Sequence, residues 1–336
     1  MLTFASMRIL AGDVGGTKTL LQLLDADGGR RSVVVERRYE SALYPTFDAM
    51  LRDFLALGEG IIDSACLAVA GPVIEARAEV TNLHWTMEAE ALRQHFGIGR
   101  VTLINDFYAV ALGVPLLEGP DLIPLNEGVR DVTAPIAILG AGTGLGEAAV
   151  IAEEEGWRVV ASEGGHADFA PQGKEQTEIL LALEERYGHV SWERLLSGAG
   201  LVNIFTFLRD RHYENATPPV DHSGDVDSLP ARISTLATAG DPLAARAFGI
   251  FVDIYGAEAG NMALRLLARG GVFLAGGIAS KNVEQFTSGR FMKAFVHKGR
   301  FQEILRDIPV NLIANSKVGL IGAAAMAAKA GGSQLG

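Results

Sequence analysis

Apolar residues along this chain fall into short continuous runs that end at glycine-rich turns, interleaved with stretches of helical spacing. Residues 8–12 (Arg-Ile-Leu-Ala-Gly) predict a buried strand ending at such a turn, and residues 18–25 and 31–38 predict two further strands. The segment Asp25-Ala26-Asp27-Gly28-Gly29 between them is a hairpin signal. Ile61–Val69 predicts a strand entering the turn Ala70-Gly71-Pro72. Residues 86–96 have helical spacing, with Thr86 as the expected N-cap. Val101–Ile104 predicts a strand and Asp106–Gly113 a helix.

A second set begins at Ile136–Leu139, a strand running into Gly140-Ala141-Gly142-Thr143-Gly144, followed by paired strands over 147–152 and 157–161. Strand, glycine turn and hairpin thus occur twice, about 125 residues apart, a repeat of architecture rather than of sequence. From 174 the pattern is mostly helical. The polar stretch 209–230 predicts a loop, and 241–269 a long helix with Asp241 as N-cap and Pro242 at its first position. Val272–Ala275 predicts a strand before Gly276-Gly277, and 317–330 an alanine-rich last helix. Strands alternating with helices imply an α/β protein, and two similar β-rich halves imply a ligand held in the cleft between them.

Composition narrows the function. The chain has 336 residues, room for two domains, with a net charge of −11 that disfavours generic nucleic-acid binding. The lone cysteine, Cys66, sits in an apolar run and reads as a buried structural thiol, which leaves neither an intramolecular disulfide nor a cysteine zinc cluster. No run of 18 apolar residues occurs, so no membrane segment is expected and a cytoplasmic location is inferred.

Four pieces carry candidate chemistry. Gly12-Asp13-Val14-Gly15-Gly16-Thr17 joins two strands. Its glycines allow close approach of phosphate oxygens and Thr17 adds a hydroxyl. An acid among phosphate donors calls for a cation, so Asp13 suggests Mg²⁺, held directly or through water; an ordinary hairpin turn is the alternative. The spacing is not that of a Walker A loop. The second glycine loop contains Gly142, Thr143 and Gly144, and Gly144–Ala149 formally matches a dinucleotide fingerprint, without the helix that such a site requires. Gly276 and Gly277 could pack against adenine or ribose, or make a plain turn. Asn105-Asp106 places an amide and a carboxylate at a strand end, where α/β sheets present ligand groups, and Asp106 reads equally as an N-cap.

The order of these pieces resembles the actin-like ATPase and sugar kinase superfamily. Ser162-Glu163-Gly164-Gly165-His166-Ala167-Asp168-Phe169-Ala170-Pro171 and Tyr187-Gly188-His189-Val190-Ser191-Trp192-Glu193-Arg194-Leu195-Leu196-Ser197-Gly198 resemble, within it, the bacterial glucokinase family, over about residues 8 to 330. The resemblance implies a two-lobed actin-like, ribonuclease H-like α/β fold with a central cleft between the lobes. Residues 1–135 form the smaller lobe and 136–336 the larger, with the final helix able to pack back on the smaller. It implies ATP-dependent phosphorylation of glucose to glucose 6-phosphate; another free hexose (mannose, fructose or an amino sugar) is the alternative acceptor. Asp106 matches the catalytic base, and Asn105, Glu163, His166 and Glu193, with Asp106, the sugar ligands. Gly12 through Thr17 match the ATP phosphate loop, with Gly142, Thr143 and Gly144 as its partner, and Gly276-Gly277 match the adenosine contact. A homodimer is compatible with the family. Related kinases and repressors carry a cysteine zinc cluster beside the histidine, which a single cysteine cannot supply, so His166 is expected to face sugar. The acceptor-rich ligand set suits a neutral polyol and would repel a sugar that already bears phosphate.

Overall fold

The computed structural model describes residues 7–27, 30–58, 60–80, 83–154, 156–212 and 229–331. Its first strands are β1 (Met7–Val14), β2 (Lys18–Asp27) and β3 (Arg30–Glu40), followed by helix α1 (Phe47–Leu55). Then come β4 (Ser64–Val69), β5 (Val73–Ile74), β6 (Arg77–Glu79), β7 (Thr86–Glu88), α2 (Ala89–Phe96), β8 (Arg100–Asn105) and α3 (Asp106–Gly113). The middle of the chain forms β9 (Leu122–Asn126), β10 (Ile136–Ala141), β11 (Leu145–Glu153), β12 (Gly156–Ser162), α4 (Gly173–Tyr187), α5 (Gly198–His212), α6 (Leu229–Thr238) and α7 (Pro242–Leu266). The rest is β13 (Gly271–Ala275), α8 (Gly277–Lys281), α9 (Val283–Thr287), α10 (Arg290–Phe295), α11 (Gln302–Arg306), β14 (Val310–Ile313) and α12 (Val318–Ala330).

Two larger sheets run β3-β2-β1-β4-β8 and β12-β11-β10-β13-β14-β9, beside a small sheet β5-β6-β7. In the first, β1 pairs antiparallel with β2 and parallel with β4, which pairs parallel with β8. In the second, β10 pairs antiparallel with β11 and parallel with β13, which pairs parallel with β14. The repeated strand, glycine turn and hairpin thus extends to the strand order of both sheets. Every residue of β4 (Ser-Ala-Cys-Leu-Ala-Val) is buried, as expected of a central parallel strand covered on both faces.

By internal contacts the chain divides into two compact units, the first made of the described residues of 1–118, 153–159 and 315–336, the second of those of 119–152 and 160–314. In the first, side chains alternate between two cores. Leu10, Leu67, Phe47, Met50 and Phe54 pack on one face of the sheet. Ile9, Ala11, Cys66 and Ala68 pack on the other, beneath Leu320, Ala323, Ala324 and Ala327 of α12. The alanine and glycine surface of α12 permits a close helix approach: a Cβ on Gly322 would run into the Ala109 carbonyl oxygen of α3. Burial raises the pKa of the Cys66 thiol, in keeping with a structural role. In the second unit, α7 crosses the core. Asp241 caps it by accepting from the Ala244 amide at 2.8 Å, and Tyr255, fully buried, is edged by Phe251, Phe286 and Phe291.

Three local expectations change. Thr86 lies in β7 rather than capping a helix; α2 starts at Ala89, because residues 86–88 pair with β6. The strand expected from Ile61 starts at Ser64. Residues 209–212, expected as loop, complete α5, while 213–228 lie outside the described residues, as do Gly28 and Gly29 of the hairpin signal. No described helix is long and apolar enough to cross a membrane.

Candidate active site

In the first unit the candidate groups gather at one end of the parallel strands, where β1, β4 and β8 finish side by side. The register sets Asp13 opposite Ala68 and Ala68 opposite Ile104, so Asp13 and Asn105 stand two strands apart at the same edge. Gly12, Asp13 and Val14 are still inside β1; Gly15, Gly16 and Thr17 make the turn into β2. That turn is braced from behind. The Gly15 amide donates to the Lys18 carbonyl at 3.1 Å, the Ser41 hydroxyl donates to the Gly15 carbonyl at 2.7 Å, and the Ser41 amide donates to the Thr17 carbonyl at 3.0 Å. Ser41 is fully buried and sequence reasoning missed it, since no local signal ties a serine after β3 to a turn some 25 residues earlier.

The Asn105 side chain is the N-cap of α3: its Oδ1 accepts from the Phe107 amide at 2.9 Å and the Tyr108 amide at 3.1 Å. The capping alternative for Asp106 thus falls to its neighbour. Asn105 Nδ2 donates to the Gly71 carbonyl at 3.2 Å and to Asp106 Oδ1 at 3.0 Å, and Oδ1 also accepts from the Phe107 amide at 2.8 Å. One carboxylate oxygen of Asp106 is therefore tied to the helix start. Burial raises the pKa of Asp106, opposed by these hydrogen bonds. Asp13 is pushed up to about 6, first by burial and then by the charge of Asp106. Asp13 also lines a cavity of 340 Å³ with Lys18, Arg38, Ser316 and Lys317, and its Oδ2 would lie 3.8 Å from a Cβ on Gly319 of α12.

In the second unit the two long sequence blocks zip together. The Phe169 amide donates to the Val190 carbonyl at 3.0 Å, the Trp192 amide to the Ala167 carbonyl at 3.0 Å, and Asp168 bridges to Ser191. This brings the turn Gly164–His166 beside the turn Trp192–Arg194. His166 Nε2 stands 3.9 Å from Glu163 Oε2, and its Nδ1 stands 4.0 Å from Glu193 Oε1. Glu163 and His166 are largely exposed and Glu193 is one-third exposed, so the three present polar tips to solvent over a packed base. Glu193 Oε2 accepts from the Leu145 amide at 2.9 Å and sits where a Cβ on Gly144 would be. The Gly142 carbonyl accepts from the Gly198 amide at 2.9 Å, so the 142–144 turn is fastened at both ends to the 193–198 segment. Gly276, at φ +90° where only glycine sits without strain, lies so close to β10 that a Cβ would meet the Ala141 carbonyl. Gly276 and Gly277 therefore adjoin the 142–144 turn, with α8 starting at Gly277. Among the described residues no cluster of three or more His, Cys, Asp or Glu side chains could hold a metal by itself.

A family model described as Glucokinase matches residues 10–330. The chain belongs to the glucokinase family. It is 40% identical over 337 residues to a glucokinase of Nostoc punctiforme, covering 96% of this chain and 99% of that one. It is 42% identical over 349 residues to a glucokinase of Synechocystis, covering 96% and 98%. A crystal structure of glucokinase from an Antarctic psychrotroph superposes with a TM-score of 0.82 at 29% identity, covering 96% of this chain and 99% of that one. The fold is accordingly the two-lobed actin-like fold that the order of the motifs implies.

Proposed function

We propose that this glucokinase-family protein transfers the γ-phosphoryl group of ATP to a hydroxyl of free glucose, giving glucose 6-phosphate, with Asp106 as general base. The observation that carries this assignment is the Asp106 carboxylate at the start of α3: Asn105 Nδ2 and the Phe107 amide both donate to Oδ1, and among the described residues no other side chain is bonded to the carboxylate. A sugar hydroxyl is a poor nucleophile until its proton has an acceptor. A positioned carboxylate with its pKa raised by burial is a better acceptor than one in water, and general base catalysis supplies about 10²–10⁴ in rate. Asn105, Glu163, His166 and Glu193 join Asp106 as the hexose ligands in this proposal. Gly12 through Thr17 and Gly142 through Gly144 take the phosphates, and Gly276-Gly277 the adenosine.

The residues fit a magnesium ion. Asp13 is a partly buried acid beside a second acid, and no cation is paired with it among the described side chains, an arrangement that a bound cation would relieve. One or two carboxylates plus substrate phosphates is the usual environment of Mg²⁺. Asp13 would hold it, directly or through water, and the ion would supply neutralisation of charge on the phosphoryl oxygens. A cytoplasmic location and a homodimer belong to the same proposal.

The test is a coupled assay with ATP, Mg²⁺ and glucose on Asp106→Asn. The expected result is a fall in kcat of about 10²–10⁴ with a much smaller change in glucose affinity. A retained kcat would remove the base assignment. Efficient transfer to fructose 6-phosphate would overturn the acceptor class.

A further inference from the structure

Glu147 is the buried acid that the proposed reaction leaves unused. It lies on β11, two residues beyond Leu145, and is only 3% exposed. Its Oε1 has no hydrogen-bond partner among the described residues. Buried carboxyl oxygens without partners are uncommon and call for a reason. The surroundings supply one. A Cβ on Gly164 would collide with Glu147 Oε2, and a Cβ on Gly165 with the Leu145 carbonyl oxygen. The turn that carries Glu163 and His166 is therefore laid flat on β11, with two glycines permitting the approach. The part of that floor beneath Gly164 is a side chain, the carboxyl of Glu147. The turn is stiff in itself: the Gly164 amide donates to Ser162 Oγ at 3.0 Å and the His166 amide to the Glu163 carbonyl at 2.9 Å. What lies under Gly164 thus sets the height and tilt of both Glu163 and His166.

We propose that Glu147 is a positioning residue for the hexose: its carboxyl group, wedged beneath Gly164, holds the 163–166 turn at the height at which Glu163 and His166 meet the sugar. The inference rests on the assignment of those two side chains as hexose ligands. Truncating Glu147 lets the turn sink into the space, so hexose binding weakens while the phosphoryl-transfer step, which belongs to other residues, is kept.

The acid also makes that support pH-dependent. Burial and the nearby charge of Glu258 push Glu147 up to about 7, partly offset by Arg265. The ionisable groups facing it are Tyr255, Glu258 and Arg265 from α7, while Glu163 and His166 of the turn packed over it are largely exposed; Glu258 is itself paired with Arg265 and Asn261. Loss of the proton places a charge in a site where, among the described residues, the nearby cation Arg265 is already paired with Glu258, under a turn that carries Glu163. The neutral form supports the turn and the ionised form disturbs it.

The experiment measures kcat and KM for glucose and for ATP from pH 6 to 8.5 on wild type, Glu147→Gln and Glu147→Ala. Glu147→Ala is expected to raise the glucose KM about tenfold, with kcat and the ATP KM within about twofold. In wild type the glucose KM should climb as pH passes through 7, whereas Glu147→Gln, neutral and of the same shape, should match wild type at pH 6 and stay flat to pH 8.5. A pH climb unchanged in Glu147→Gln, or an unmoved glucose KM in Glu147→Ala, overturns the inference. Should Glu147→Ala fail to fold, the Glu147→Gln profile decides alone. Glu163→Gln and His166→Ala run alongside: if neither moves the glucose KM, the ligand assignment itself fails, and if they do while Glu147→Ala does not, only the positioning role fails.

Discussion

At the scale of single residues, the acids to which we assign the chemistry of the first unit also carry an energetic cost. Asp13 has a folded-state pKa of about 6 against an ordinary value of 3.8. A carboxylate whose pKa rises on folding takes up a proton more readily folded than unfolded. Its contribution to stability is complete below the ordinary value and is lost as pH rises through about 6, so at neutral pH the ionised side chain opposes folding. Replacing it by Asn should therefore stabilise the protein at pH 7.5 in the absence of magnesium nucleotide, by an amount on the order of 1–3 kcal/mol, reduced by the partial solvent exposure of the group. The gap between thermal midpoints should close near pH 3.5, and equal midpoints at pH 7.5 would contradict the cost. Site chemistry was unevenly legible at this scale. Asn105 and Asp106 stand out as a polar pair ending an apolar run, but which of the two caps α3 depends on a one-residue boundary, and only hydrogen-bond geometry decides it. Glu147 opens the strand expected over 147–152, directly after a glycine-rich string; its burial comes from the 163–166 turn laid across β11, which no local pattern carries.

Elements were more legible than sites. Buried parallel strands such as β4 announce themselves as unbroken apolar runs, and β2 and β3 as a pair around a hairpin signal. Thr86 misleads because a good N-cap residue at the right distance from an apolar stripe is equally at home in a short edge strand, and pairing with β6 wins. Helix α12 shows what composition does for packing. Its alanine-rich face lies against Ile9, Ala11 and Ala68, and Gly322 lets it approach α3 to the point where a methyl group has no room beside the Ala109 carbonyl. Gly322→Ala should gain up to about 1 kcal/mol of helix propensity yet lose more to the forced displacement. The net expectation is a destabilisation of about 1–3 kcal/mol in urea unfolding. A more stable variant would show that the two helices can part without penalty.

On the scale of the whole molecule, the chain leaves its first compact unit at residue 118, rejoins it briefly over 153–159 and returns to it again at 315. Hydrophobic periodicity marks an apolar face on the last helix but not which sheet it will cover, because that partnership spans almost the full sequence. Removing residues 318–336 should leave one face of the β3-β2-β1-β4-β8 sheet bare. The first unit is then expected to become protease-sensitive and to lose its cooperative transition, while the second, whose core draws on none of α12, keeps its own transition. Survival of one full transition in the truncated chain would refute this. The return of α12 also fixes an order of events on the ribosome. Domains usually close in the order in which they are synthesised. Here β1 and β4 wait for a helix made after the whole second unit, so the second unit can finish before the first. Until α12 emerges, Ile9, Ala11 and Ala68 lie open on a nascent sheet, where a chaperone that recognises apolar strands would find them.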